Sequence, residues 1–562
     1  MARETPRRTR RGFLAGLILA AAAGVVLVAF VSSGDLPFRH VILFVGDGMQ
    51  LENEIAASRY LYGADHALAW HGFPGRFVVS TWDVTTYDRF AWRAQRPRYE
   101  RKVFFPELGY DISRGGSRPY PDQLTGIDNA YFLTPLPAYG ATGSAGAIPA
   151  TDSASAATAL ATGFKTDSGN ISWRAGDLPD GRLTTIAEKV RGLRGAAVGI
   201  VSTVPFNHAT PAAFVSHNPG RSNYYTGYRD STQPGLADEI IGVFKPEVVI
   251  GGGHPLTSNP TFDTKRGYIS RALYESLRFS SEYVLAERQP GVDGALTLAA
   301  AAEAAVAAKK KLFGLFGGSE GGFVPPVAED IPGAPLVRRG TIEDPLLKDA
   351  ALAALRVLSQ DEDGFFLLVE QGDIDWANHD GNFRGGIGTM WDLEEAVKAV
   401  MEFVDRPSDD LDWGNTVLLV TADHATGFMR LNPQKPLGRG DLPGQQSAAT
   451  APVPAGPQRK AQPVSPHNSP APAAGYVPLF LYEGGEVSFG ISGHTNELVT
   501  LSVKGDAVPF FRAYEGRWYA APIIDNTQIH AVLSEALKVT RNPGPLRRLG
   551  EAVTRLLGSG RR

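Results

Sequence analysis

His40-Val-Ile-Leu-Phe-Val-Gly-Asp47 is an apolar run that ends in an acid, and two later runs repeat the pattern. They are Gly364-Phe-Phe-Leu-Leu-Val-Glu370 and Thr416-Val-Leu-Leu-Val-Thr-Ala-Asp423. Short continuous apolar runs read as strands buried on both faces, the habit of a parallel sheet. In an open α/β sheet the ligand site lies outside the carboxyl ends of the strands. A sheet that sends Asp47, Glu370 and Asp423 to one edge builds a cation trap. Hard and borderline divalent cations take oxygen and imidazole ligands.

The chain has 562 residues, a formal net charge of −4, 63 glycines, 40 prolines and no cysteine. Length alone suggests three or four domains of about 150 residues. The candidate site residues, however, run from position 47 to position 494. One large α/β domain with insertions accounts for that scatter better than a string of modules. Near-neutral charge gives no reason to expect a nucleic-acid partner. The absence of cysteine excludes disulfides and thiolate zinc sites, so any metal is held by His, Asp, Glu and hydroxyl groups.

Arg7, Arg8, Arg10 and Arg11 precede an uncharged stretch from Phe13 to Gly34, long enough to span a bilayer at about 20 residues. Basic residues before such a stretch keep the N-terminus inside and send the rest out. Thr9-Arg10-Arg11-Gly12-Phe13-Leu14 also resembles the twin-arginine export signal of bacteria. Export and an uncleaved signal anchor both place the rest of the chain in the periplasm or otherwise outside the cytoplasmic membrane. Residues 1–34 are therefore set apart as signal or anchor, 35–540 as the catalytic domain, and 541–562 as a basic amphipathic tail.

Within the domain, residues 83–146 read as an insertion rich in aromatics and arginine, expected to form an ordered surface cap. Ala295–Leu312 and Pro345–Leu358 read as helices, the second with Asp344 as its N-cap. Residues 431–475 are dense in Pro, Ala, Gln and Gly and read as a long flexible loop. A strand follows at Tyr476–Tyr482. The sequence shows no internal repeat.

Thr151-Asp152-Ser153-Ala154-Ser155 follows a Gly- and Ala-rich loop, and Asp152 or Thr151 can cap a helix starting here. Ser153 then lies in the first turn, where unpaired N–H groups and the helix dipole attract anions. That position suits a serine that attacks a phosphate and then carries it. Asp152-Ser153-Ala154, with Ala159-Leu-Ala-Thr162-Gly163-Phe-Lys165-Thr166, closely resembles the nucleophile segment of alkaline phosphatases. The resemblance continues through Val248-Val-Ile-Gly-Gly-Gly253 and the acid-ended strands, from about His40 to Ala507. It implies a three-layer α/β/α sandwich around a large, mostly parallel central sheet, with surface insertions.

Asp375 and His379 are four apart, so a helix places them on one face, a spacing that suits tetrahedral zinc. Asp423-His424 closes the third strand, and His494 lies in Ser492-Gly-His-Thr-Asn-Glu497. The resemblance distributes these residues over three metal sites. Asp375, His379 and His494 match a first zinc site. Asp47, Asp423 and His424 match a second, which also takes Ser153 Oγ during catalysis. Asp47, Thr210 and Glu370 match a magnesium site, giving two Zn2+ and one Mg2+ per subunit. His208 stands where some relatives have Asp, which leaves Zn2+ or Co2+ as competitors at the third site. Arg221 aligns with the arginine that holds the phosphoryl group, a task its planar fork suits better than lysine. Trp376 stands where some relatives have a basic residue, which implies a weaker hold on product phosphate. His217 and His254 read as supporting or structural residues.

The resemblance implies hydrolysis of small-molecule phosphate monoesters through a phosphoserine, and it is compatible with a homodimer and with membrane attachment through an uncleaved N-terminus. Three alternatives stand beside it. Sulfatases need Cys or Ser followed by Pro and Arg, which Ser153-Ala-Ser-Ala lacks. A phosphodiesterase of the same superfamily would use Thr as nucleophile and lack the third metal set. A catalytically silent phosphate-binding surface protein would not need every catalytic position filled.

Overall fold

The computed structural model describes residues 38–539 apart from 116–127, 143–145, 226–232, 256–261, 263–266, 407–410, 445 and 449–477. The basic and apolar N-terminal segment and the basic tail lie outside the described residues. Among the described residues no helix is long and apolar enough to cross a membrane.

Ten strands form the central sheet. In chain order they are β1 (His40–Gly46), β2 (Gly75–Ser80), β3 (Ala197–Pro205), β4 (Val248–Gly252) and β5 (Tyr283–Glu287). They continue with β6 (Lys311–Leu315), β7 (Phe365–Gln371), β8 (Thr416–Thr421), β9 (Val499–Lys504) and β10 (Ile523–Asp525). Their spatial order is β10-β2-β9-β8-β1-β7-β3-β4-β6-β5. All neighbours pair in parallel except β9, which runs antiparallel to both β8 and β2.

The three acid-ended runs are thus the adjacent strands β8, β1 and β7, with β1 in the middle. Every residue of β1, β7 and β8 is buried, as their unbroken apolar runs require of strands covered on both faces. In register, Val45 lies beside Glu370 and Thr421. Asp47, Glu370 and Asp423 therefore leave the sheet at nearly the same level.

Helices that bear on the site are α1 (Val84–Arg93), α2 (Ser153–Thr162), α3 (Ala209–Val215), α4 (Gly294–Ala308), α5 (Leu347–Leu358), α6 (Asp373–His379), α7 (Phe383–Val404) and α8 (Asn526–Ala536). The helices α4, α5 and α7 pack together in one layer, while α2, α3 and α8 pack together in the other. A single apolar core runs through sheet and helices. Residues from the 83–146 stretch form a second cluster, in which Tyr87, Phe90, Tyr110 and Tyr131 pack around Trp82, Trp518 and Tyr519.

The structure corrects four local expectations. The Ala-rich helix ends at Ala308, because Lys309 turns left-handed at φ 53° and Lys311 already opens β6. Asp344 does not cap α5. Its carboxylate instead accepts from the backbone N–H of Gly317 (3.0 Å) and Val324 (2.9 Å) and pairs with Arg288 (2.9 Å), so tertiary partners outcompete the local one. The α5 cap is Leu346, whose N–H is taken by Asp349 at 3.0 Å. Within the expected 431–475 loop, Gln446–Ala448 forms a strand against Phe480–Tyr482, while residues 449–477 lie outside the described part. Of the described part of the expected Tyr476–Tyr482 strand, Phe480–Tyr482 is strand and Pro478 and Leu479 are not, while 476 and 477 lie outside the described residues.

His217, just past α3, is a structural residue. Its Nδ1 lies 2.9 Å from Glu239 Oε1, and its Nε2 lies 2.9 Å from the Leu183 carbonyl and 3.5 Å from Glu188. Burial lowers its pKa, but Glu188 and Glu239 outweigh burial and lift it to about 9. A folded pKa above the unfolded value of about 6.5 stabilises the protein fully below that value and is lost as pH rises through 9. The gap corresponds to at most roughly 3 kcal/mol. The expected result is a wild-type advantage in Tm over His217→Gln that shrinks steadily between pH 6.5 and 9.5. An advantage independent of pH would show the imidazole to be neutral.

Candidate metal centre and nucleophile

Each candidate residue reaches the site from an element whose local sequence puts it there. Asp47 follows β1, and the turn after it uses Gly48 at φ +69°. A Cβ at Gly48 would lie 2.7 Å from Thr426 Oγ1 and 2.8 Å from Asp375, so only glycine fits that close approach. The Gly48 N–H donates to Asp423 Oδ1 at 3.1 Å. Glu370 ends β7, and Asp375 and His379 project from α6 with 3.1 Å between Asp375 Oδ2 and His379 Nε2. Asp423 and His424 follow β8. His494 opens a two-residue strand, His494–Thr495, that pairs with Ala425–Thr426.

Ser153 is the first residue of α2, and Asp152 caps the helix by accepting from Ser155 N at 3.0 Å. Ser153 Oγ lies 3.2 Å from His424 Nε2. His424 Nε2 in turn lies 3.5 Å from Asp47 Oδ1 and 3.3 Å from Asp423 Oδ2. His494 Nε2 is 3.5 Å from Asp375 Oδ1 and 3.2 Å from His379 Nε2. The rings of His424 and His494 stack with centroids 3.8 Å apart. Two triplets have ligand atoms all within 4.8 Å of one another, Asp47–Asp423–His424 and Asp375–His424–His494. The first matches the expected second zinc set. In the other, His424 joins Asp375 and His494, with His379 in contact with both of those residues.

The hydrogen-bond partners fix how the three imidazoles face. His494 Nδ1 lies 2.8 Å from the Thr151 carbonyl and His379 Nδ1 lies 2.6 Å from the Ser492 carbonyl, so each of those nitrogens carries the hydrogen and donates it. Thr426 Oγ1 donates to Asp375 Oδ1 at 2.6 Å and therefore accepts from His424 Nδ1 at 3.2 Å. The Nε2 atoms of His424 and His494 are left as bare lone pairs aimed at carboxylate oxygens and, for His424, at Ser153. His379 differs: burial lowers its pKa, but Asp375 outweighs burial and lifts it to about 8, so its Nε2 hydrogen is directed at that carboxylate. Acceptors gathered this closely repel unless a proton or a cation lies among them.

Charge states agree with that picture. Burial, then the neighbouring Asp423, Asp375 and Glu370, push Asp47 well above the usual carboxylate range, and burial does the same to Asp423. Burial pushes Glu370 up to about 7. Asp375 is an exception: burial raises it, but His379, His494 and His424 together pull it well below. Burial and the neighbouring His494 hold His424 far below its ordinary value, so its ring is neutral.

Several buried atoms have no hydrogen-bond partner, namely Asp47 Oδ1, Asp423 Oδ2, Glu370 Oε1, Thr210 Oγ1 and His208 Nδ1. Asp47 and Thr210 lie beside Glu370, whose other oxygen accepts from Ser202 at 2.5 Å. His208 caps α3, its ring meets Trp376 edge-on at 6.1 Å, and burial lowers its pKa to about 3. The residues present thus fit cations on their own chemistry: an oxygen-rich set around Glu370 and two sets that mix carboxylate with imidazole.

Arg221 is brought to the mouth of this cluster. Its Nη1 donates to Asp152 Oδ2 at 2.8 Å, and its backbone N–H donates to the Gly169 carbonyl at 2.9 Å. Burial would raise Asp152, but Arg221 and the N–H groups of Gly169 and Ser155 bring it well below its ordinary value. Sequence reasoning missed Asp152 as the partner of Arg221, Ser202 as the donor to Glu370, and Thr426 as the bridge between Asp375 and His424. Asp152 could have been found from its place beside Ser153; the other two carry no local signal. His254 stands apart, facing Glu287 at 3.5 Å on the flank of the sheet.

A ten-strand α/β/α sheet carrying a carboxylate–imidazole cluster and a helix-capped serine at its carboxyl edge is the architecture of a hydrolase built around bound cations. The family model for alkaline phosphatase matches residues 120–461, and the chain belongs to the alkaline phosphatase family. It is similar to alkaline phosphatase 3 of Bacillus subtilis, with 31% identity over 278 residues that make up 49% of each chain. It is also similar to the alkaline phosphatase of Escherichia coli, with 32% identity over 49% of this chain and 58% of that one. The chain spans about half the length of the curated relatives it matches. Among solved structures, the alkaline phosphatase of Thermus thermophilus shares the fold with a TM-score of 0.54, at 20% identity over 92% of this chain and 95% of that one. The alkaline phosphatase of the Antarctic bacterium TAB5 does so with a TM-score of 0.50, at 18% identity over 90% and 99%.

Proposed function

We propose that the protein hydrolyses phosphate monoesters of small molecules through a phosphoserine formed at Ser153. The observation that carries this reading is the convergence of the Asp47–Asp423–His424 and Asp375–His424–His494 clusters, with unpartnered oxygens on Asp47 and Asp423, on the His424 Nε2 that lies 3.2 Å from the Ser153 hydroxyl. Asp375, His379 and His494 would hold one zinc, Asp47, Asp423 and His424 a second, and Asp47, Thr210 and Glu370 a magnesium, or a third zinc or a cobalt. Bound there, such cations supply Lewis-acid stabilisation and lower the pKa of a ligated hydroxyl or water.

Ser153 Oγ attacks phosphorus and gives up its proton, the Oγ–phosphorus bond forms as the ester P–O bond breaks, and the leaving oxygen takes up a proton and departs as the alcohol. Arg221 grips two of the phosphoryl oxygens through its planar fork, held in place by Asp152. The first-turn N–H of α2 faces the same charge. Water then attacks the phosphoserine, releasing inorganic phosphate and restoring the hydroxyl. His424, neutral and 3.2 Å from Ser153 Oγ, would place a cation held on its Nε2 beside the nucleophile. The arginine-rich leader and apolar segment at residues 7–34 support export to the periplasm, cleaved or retained as an anchor.

A monoester offers three terminal oxygens to this set of positive groups, and a diester only two. Hydrolysis of p-nitrophenyl phosphate is therefore expected to exceed that of bis-p-nitrophenyl phosphate by at least about a hundred-fold in kcat/KM. Equal rates, or a preference for the diester, would replace this reading with a phosphodiesterase.

A further inference from the structure

Asp83, the first residue of the aromatic insertion, sits 69 positions before Asp152 in sequence but touches the same hydroxyl. Its Oδ1 accepts from Thr86 N at 2.6 Å and caps α1. Its Oδ2 lies 3.0 Å from Ser155 Oγ. That hydroxyl also lies 2.7 Å from Asp152 Oδ1 and 2.8 Å from Thr151 Oγ1. All of these side chains but Asp152 are fully buried. Asp152 in turn holds Arg221.

We infer that Asp83 is a positioning residue for phosphate binding, steering the Ser155 hydroxyl onto Asp152 and so fixing Arg221 against the phosphoryl group. The argument turns on hydrogen count. One hydroxyl hydrogen cannot serve two carboxylates, so a Ser155 oxygen between Asp83 and Asp152 needs a second hydrogen on one of them. Asp152 is held ionised by Arg221 and two backbone N–H groups. The cation that feels the Asp83 charge is the buried Lys165, which is itself paired with Asp525 at 3.0 Å, and burial, opposed by the bond to Thr86, lifts the Asp83 carboxyl to about 7. A protonated Asp83 keeps its carbonyl oxygen on Thr86 N and donates to Ser155, whose own hydrogen then goes to the ionised Asp152 Oδ1 at 2.7 Å in preference to the neutral Thr151 hydroxyl at 2.8 Å. The same strip of chain is tied down twice more. Gly169 N–H donates to Asp152 Oδ1 at 3.0 Å, and Val84 N–H donates to the Thr166 carbonyl at 2.9 Å. The insertion is thereby joined at its first turn to the phosphate clamp.

The inference rests on Arg221 being that clamp, and the test separates the two. Inhibition by inorganic phosphate and the KM for p-nitrophenyl phosphate are measured on the metal-loaded enzyme. Asp83→Ala is expected to weaken both by about three- to ten-fold, the worth of one hydrogen bond, with a smaller change in kcat. Asp83→Asn, whose amide reproduces both hydrogen bonds, keeps most of the binding. Ser155→Ala leaves the α1 cap in place and is expected to match Asp83→Ala, which serves if the latter folds poorly. On an Arg221→Ala background, Asp83→Ala adds no further loss. Additive losses, or an Asn variant as weak as the Ala variant, would overturn the inference and leave Asp83 a mere helix cap. If Arg221→Ala alone leaves phosphate inhibition unchanged, the clamp assignment falls and the inference falls with it.

Discussion

Removal of divalent cations by chelation is expected to abolish turnover and to lower Tm, and return of zinc with magnesium is expected to restore both. Four carboxylates, Asp47, Glu370, Asp375 and Asp423, are buried together at the carboxyl edge of β8, β1 and β7. Burial drives three of them towards the protonated form, for Asp47 against the pull of Arg221 and for Glu370 and Asp423 against the hydrogen bonds they accept. A cation replaces those protons and pairs the orphaned oxygens at once, so loading releases protons and stabilises the fold. At a thousand times its dissociation constant an ion contributes about 4 kcal/mol per site, enough to move Tm by several degrees even in a chain of this size. Activity that survives exhaustive chelation, with no change in Tm, would leave the lone-pair cluster without a purpose.

Ser153→Ala is expected to remove at least about three orders of magnitude from kcat while leaving phosphate binding largely intact. The hydroxyl is placed by two independent features. The Asp152 cap starts α2 at this residue, and the loop after β8 brings His424 Nε2 to 3.2 Å. On this proposal, loss of the hydroxyl removes the covalent route but not Arg221, the helix N-terminus or the candidate cation ligands. The variant should therefore still bind inorganic phosphate and still gain stability from it. Full turnover by Ser153→Ala would point to a different nucleophile.

How much of this was legible before the structure follows from where the information lies. Strands β1, β7 and β8 announce themselves because burial on both faces demands apolar residues at every position. The candidate ligands at their ends are legible for the same reason, since an acid closing such a run breaks the pattern. The α6 pair Asp375 and His379 is legible because helical spacing is local. The cap of α5 was misread because Asp344, suited to a cap, is claimed by Arg288 and two backbone N–H groups from distant loops. The antiparallel β9, lodged between β8 and β2, carries no mark of its direction in its residues. The hydrogen bonds from Thr426 to Asp375 and from Ser202 to Glu370 span 51 and 168 positions and have no spacing to betray them. Asp83 looked like the start of an insertion, and only the fold shows it resting on Ser155.

The most direct measurement is acid quenching of the metal-loaded enzyme during turnover of a phosphate monoester, followed by peptide mapping of the trapped phosphoryl group. The account predicts phosphate on Ser153, present with cations and absent after chelation. Phosphate on another residue, or a labelled Ser153 in metal-free protein, would contradict it.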